Sequence, residues 1–263
     1  MASSTWLILP MLFPLFSGGR AGVVPPTTAR YRLEVKSEQV ADLTALGQGE
    51  QRSSNTTIAF LTVTNSDSAG GNIILVMVDS IQMDSTLGIP KAMTDSLRGQ
   101  TRKSYVGPDG KVTRQNAGNA ASLLLALGLD GLVRRLAPPT AAHRKAGAAW
   151  TDTTDVSDTL PSGSISTRIV TNFQTSDGSY DGGKATKVAG AFSTALRGGQ
   201  AGPGGETTFD GTGSGTSSWF YSAEGSALGG TSHTAQQITF TGGGAPAPIP
   251  MTATTDVTVS RQQ

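Results

Sequence analysis

The sequence predicts a mainly β protein: a single, strongly curved antiparallel sheet, a half-barrel, packed around one or two central helices. Three observations carry that expectation. Apolar and polar side chains alternate with a period of two on both flanks of a leucine-dense segment, and turn residues punctuate the alternating runs. Charged residues make up 15% of the chain against the usual quarter or so, while glycine reaches 34 residues. Low charge with abundant Gly, Ser and Thr suits a β protein with many turns.

The N-terminal run from Trp6 to Phe16 is apolar and too short to span a bilayer. Gly19 and Ala21 follow it as small residues, so 1–21 reads as a secretory signal peptide and 22–30 as a proline-containing linker. Met1 to Thr5 carries no Lys or Arg, and Pro10 and Pro14 interrupt the apolar run. The expectation is an exported protein, periplasmic or extracellular. Residues 31–263 are then one antiparallel β domain with a helical segment at about 117–136, and no other stretch approaches transmembrane length.

Tyr31, Leu33 and Val35 alternate with Arg32, Glu34 and Lys36, as on a strand with one buried and one solvated face. Thr57 to Asn65 predicts a second strand and Asn72 to Met83 a third, joined by the turn Ser66 to Gly71. Ile73 to Val78 is apolar without a break, which predicts cover on both faces of that strand. Leu97 to Val106 and Lys111 to Gln115 form a hairpin about Gly107-Pro108-Asp109-Gly110. Leu125, Leu129, Leu132 and Leu136 fall at helical spacing, and Pro138-Pro139 stops the helix. Strand signals resume at Gly147 to Thr153, Ile165 to Phe173 and Lys184 to Leu196. After a Gly-rich connection, 198–205, they return at Thr216 to Ser222, Ser226 to Phe240 and Ile249 to Val259.

Composition excludes several chemistries. With 0 cysteines there is no disulfide, thiolate metal site, thiol nucleophile or lipid-modified cysteine. A formal charge of +1 with no basic stripe argues against a nucleic-acid partner. Gly178 to Ala185 nearly matches a phosphate-binding loop. It lacks the Ser or Thr after Lys184 and leads into a strand pattern, so it reads as a hairpin. Asp152, Asp155 and Asp158 offer hard oxygens, but on a strand a spacing of three sends alternate carboxylates to opposite faces. His143 and His233 lack a serine in a nucleophile elbow and read as surface residues. Asp79, inside an apolar run, either lies exposed at a strand end, meets Arg98 or Arg102, or marks a cavity. No catalytic residue, metal ligand or cofactor site follows from the sequence.

The opening strand Tyr31 to Val35, the segment Leu97-Arg98-Gly99, and Pro108-Asp109-Gly110-Lys111-Val112 resemble parts of a known pattern. So do Leu136 to Pro139, Trp150 to Thr153 and the late Tyr221…Glu224-Gly225 segment. Together they resemble bacterial exported proteins of unknown function with a lipoprotein-carrier-like (LolA-type) half-barrel. The resemblance implies an envelope protein that binds a lipid-like or hydrophobic molecule between sheet and helix without catalysis. The alternative is a structural or adhesion module of the envelope with no small ligand. The residues expected to line such a ligand site are Leu75, Met77, Leu125, Leu129, Leu132, Trp150 and Trp219. Aromatics on strands equally serve as plain core.

Overall fold

A computed structural model describes residues 26–68, 70–85, 91–107, 112–114, 129–160, 163–202 and 205–262. They form eleven strands: β1 (Thr27–Asp42), β2 (Glu50–Ser68), β3 (Gly71–Ser85), β4 (Thr101–Val106) and β5 (Val112–Arg114), then β6 (Ala149–Leu160), β7 (Gly163–Tyr180), β8 (Gly183–Gly202), β9 (Gly205–Tyr221), β10 (Ala227–Gly242) and β11 (Ile249–Gln262). Two short helices accompany them, α1 (Lys91–Asp95) and α2 (Leu129–Leu136).

All strands belong to one antiparallel sheet in the order β5-β4-β3-β2-β1-β11-β10-β9-β8-β7-β6. The first and last strands therefore lie side by side, with Leu33 opposite Val259 and Val35 opposite Val257. The sheet edges are β5 and β6, consecutive strands that do not pair among the described residues. Direction explains why. Successive antiparallel pairs make β5 and β6 point the same way. A hairpin cannot join two strands of the same direction, and α2 lies in the chain between them.

Side-chain alternation gives the sheet a dry and a wet face. Tyr31, Leu33 and Val35 of β1, Leu61 and Val63 of β2, and Ile74 and Val76 of β3 are buried together. Phe173, Val188, Trp219 and Tyr221 meet them from β7, β8 and β9, and Leu132, Val133 and Leu136 of α2 join the same cluster. Burying one such aliphatic side chain fully stabilises the fold by about 1.5–3 kcal/mol. The opposite face is polar. It carries the ion pairs Arg32–Glu34 at 2.6 Å, Arg197–Asp210 at 2.8 Å and His233–Asp256 at 2.7 Å.

Several expectations are corrected by this arrangement. The half-barrel around central helices is replaced by an eleven-stranded meander with very little helix. Of the helix expected at 117–136, only Leu129–Leu136 is described as helix, and residues 115–128 lie outside the described ones. The unbroken apolar run of β3 is not covered on both faces. Ile74, Val76 and Val78 point inward and are buried, whereas Leu75 on the outward face is 37% exposed. The first strand begins at Thr27, and the segment read as a Gly-rich connection supplies the ends of β8 and β9. Residues 1–21 lie outside the described residues.

The bottom of the glycine-rich half is built from ring-on-glycine contacts. Gly190 sits opposite Phe173, Gly215 opposite Phe192, Gly198 opposite Phe209 and Gly230 opposite Trp219. A Cβ added at Gly215 would collide with the Phe192 ring and the His233 carbonyl. Glycine is required there because the ring occupies the space a side chain would need.

Candidate functional site

A cleft of about 520 Å³ opens near the end of the sheet that holds the β2–β3, β4–β5, β7–β8 and β9–β10 turns, where α2 meets the inner face. Pro138 and Pro139 end α2, as the residue before a proline is driven out of helical conformation. The following loop is tied to β7: the buried Thr175 hydroxyl donates to the His143 carbonyl at 2.7 Å, and the Thr175 carbonyl accepts from the Gly147 amide at 2.8 Å.

That loop and α2 bring four flat groups into one ladder. The His143 ring stacks on Trp150 with centroids 4.0 Å apart and planes 2° from parallel. Trp150 stacks on Phe173 at 4.9 Å, its direct cross-strand partner. The Arg135 guanidinium lies 4.5 Å from the centre of the Phe173 ring. Aromatic pairs of this kind add about 0.5–1.5 kcal/mol beyond area burial, and an arginine over a ring about 0.5–1 kcal/mol or more where it is desolvated.

The two arginines of α2 are treated differently. Arg134 forms an ion pair with Asp152 at 2.6 Å and also donates to the Thr154 hydroxyl. Arg135 has no carboxylate within ion-pair distance among the described residues. Burial depresses the pKa of its guanidinium, while Tyr221 and Asp152 act in the opposite sense. A guanidinium starts so far above neutrality that it stays charged. Tyr221 donates its hydroxyl to the Arg135 carbonyl at 3.0 Å, and burial pushes the Tyr221 phenol up to about 12. Tyr31, also in the core, donates to the Ala227 carbonyl at 2.8 Å, and its phenol is likewise raised by burial.

The residues expected to line a ligand site are dispersed. Trp150 lines the cleft. Leu132 and Trp219 are buried in the core cluster. Leu75 and Met77 sit on the outward face of β3, Leu129 opens α2, and Leu125 lies outside the described residues. Arg135, His143, Phe173 and Tyr221 complete the cleft wall. The signal for Arg135 was the basic pair Arg134-Arg135 set between Val133 and Leu136, since an arginine beside buried leucines must run along the same apolar surface.

The other candidates resolve into ordinary structure. Asp181 and Gly182, both with positive φ, form the two-residue turn between β7 and β8 where a phosphate loop was weighed. Asp152 faces Arg134, whereas Asp155 on the opposite face approaches Arg168 at 3.9 Å. Among the described residues no group of acidic and histidine side chains could hold a metal ion. Asp79 is the extra residue of a bulge between β2 and β3 and accepts a hydrogen bond from the Thr62 hydroxyl at 2.8 Å. His233 has a carboxylate partner, but the pair lies exposed on the outer face.

The geometry defines an antiparallel meander with paired terminal strands, an apolar inner face and a cleft at one end. No family model and no curated protein matches the chain. Among solved structures, it is similar to Neisserial surface protein A at 6% identity and a TM-score of 0.24, over 89% of this chain and 98% of that one. It is also similar to OccK2 (OpdF) of Pseudomonas aeruginosa in complex with glucuronate, at 7% identity and a TM-score of 0.29, over 90% and 98% of the two chains. A third is Pseudomonas aeruginosa OpdK with vanillate, at 7% identity and a TM-score of 0.24, over 89% and 99%. The carrier-type resemblance is corrected by the strand order itself, an eleven-stranded antiparallel sheet with paired first and last strands in place of a half-barrel around central helices.

Proposed function

We propose that this chain is a non-catalytic protein of the cell envelope that binds a hydrophobic small molecule in the cleft between α2 and the inner face of the sheet. The observation that carries the reading is the ladder Arg135–Phe173–Trp150–His143, which forms one wall of an open cleft above an apolar core. Pockets of this size lined by aromatic groups and a few polar ones are typical of small-molecule sites. The apolar run from Trp6 to Phe16 supports export. Among the described residues no helix is long and apolar enough to cross a membrane. The outward face carries ion pairs on β1, β8 and β9, and β10 and β11, where a membrane-spanning barrel presents an apolar band. This supports a sheet whose outward face meets water.

Quenching of tryptophan fluorescence by hydrophobic probes tests the reading. Trp150 reports on the cleft and Trp219 on the core, so saturable quenching should disappear in Trp150→Phe and persist in Trp219→Phe. Quenching that survives in Trp150→Phe would place the probe elsewhere. The second reading, an envelope module that contacts a partner protein, is favoured by Phe60 and Leu75, which are 40% and 37% exposed on the outer face of β2 and β3.

A further inference from the structure

We infer that the cleft takes an anionic amphiphile, such as a long-chain carboxylate, whose charged head pairs with Arg135 while its apolar body lies along the Trp150–Phe173 stack. The inference rests on the reading of the cleft as a small-molecule site and names the class of molecule it selects. Charge is the first ground. Among the described residues the cleft is lined by Arg134, Arg135 and one carboxylate, Asp152, and Asp152 is already engaged by Arg134 at 2.6 Å. One positive charge is therefore left over.

Geometry is the second ground. The half-buried Arg135 side chain lays its guanidinium against the Phe173 ring, and among the described residues no hydrogen bond or ion pair reaches it. A partly desolvated charge without a partner is costly. A ring face offsets only part of that cost. An incoming carboxylate would meet a planar fork of donors suited to bidentate pairing. The position is also held independently of the side chain, because Tyr221 binds the Arg135 carbonyl. The head-group site and the flat apolar wall meet at Phe173, so a single molecule with a charged end and an apolar body satisfies both.

Binding of decanoate, decanol and decylamine to the full chain at neutral pH, followed by tryptophan fluorescence and calorimetry, tests the inference. Decanoate should bind at least tenfold more tightly than decanol, with decylamine the weakest. Arg135→Met should bring the affinity for decanoate down to that for decanol, and Arg135→Lys should restore part of the preference. Equal binding of decanoate and decanol by the unaltered protein overturns the anionic selection and leaves the cleft reading standing. Binding of none of the three overturns the cleft reading and the selection with it. The comparison of the three probes on the unaltered protein decides the matter even if the variants fail to fold.

Discussion

Across β1 to β3 the inner face is aliphatic: Leu33, Val35, Leu61, Val63, Ile74 and Val76 fill the space with branched side chains of similar size. Across β7 to β10 the same face is built from large rings set against glycines, at Phe173 with Gly190, Phe192 with Gly215 and Trp219 with Gly230. Both walls reach close packing. The aliphatic wall does so through many interchangeable contacts, the aromatic wall through a few pairs in which each ring needs a missing side chain opposite it. The second solution tolerates fewer changes, because adding a methyl group is damaging as well as removing a ring.

This contrast can be broken most strongly on the aliphatic side. Leu61 has no exposed surface, and Leu61→Ala should cost about 2–5 kcal/mol, measured by denaturant unfolding. On the aromatic side, Gly215→Ala should cost about 1–3 kcal/mol through overpacking. Combining it with Phe192→Ala should cost less than the sum of the single changes, because the ring and the methyl group compete for one space. Strict additivity in that cycle would show the glycine is not needed for the ring.

The buried tyrosines sharpen the contrast with a smaller effect. Tyr31 belongs to the aliphatic wall and Tyr221 to the aromatic one, and burial raises both phenols. In the unfolded chain a tyrosine ionises near its ordinary value of about 10. Tyr221 holds its proton to about 12 in the folded state. The folded state thus binds more protons over that window. Its stability is intact below about pH 10 and falls as the pH rises from there through 12. Tyr221→Phe should cost about 1 kcal/mol at neutral pH through loss of the hydrogen bond to the Arg135 carbonyl. It should also flatten the alkaline decline seen by urea unfolding between about pH 10 and 12.

The same contrast governs what could be read from the sequence. In β1, Tyr31, Leu33 and Val35 announce the strand because every inward side chain is apolar. In β9 the inward positions 211, 213 and 215 are glycines, which carry no hydropathy signal, so the strand is visible only from Thr216 onward. Glycine clusters between strands normally mean turns, and here the rings that make them strand residues lie on neighbouring strands. The unbroken run Ile73 to Val78 misled in the opposite direction, because its outward residues need no cover to be tolerated. The hairpin at Asp181-Gly182 was fully legible, its chemistry being local. Pairing of β1 with β11 was not, since residues at opposite ends of the sequence specify it. Of the cleft, Trp150 was legible as an aromatic on a strand. Arg135 was not, because its lack of a carboxylate is a property of the folded neighbourhood and not of the α2 sequence.

Hydrogen bonds stitch Arg30 to Gln262, whereas β5 and β6 are held in sequence by covalent chain alone. The molecule is thus a ring whose covalent break and whose unpaired gap lie at different places. Linking residue 262 to residue 30 by a short peptide and cutting the backbone between 115 and 128 would preserve every strand pair described above. Such a rewired chain would begin and end between β5 and β6, converting that connection into two tails.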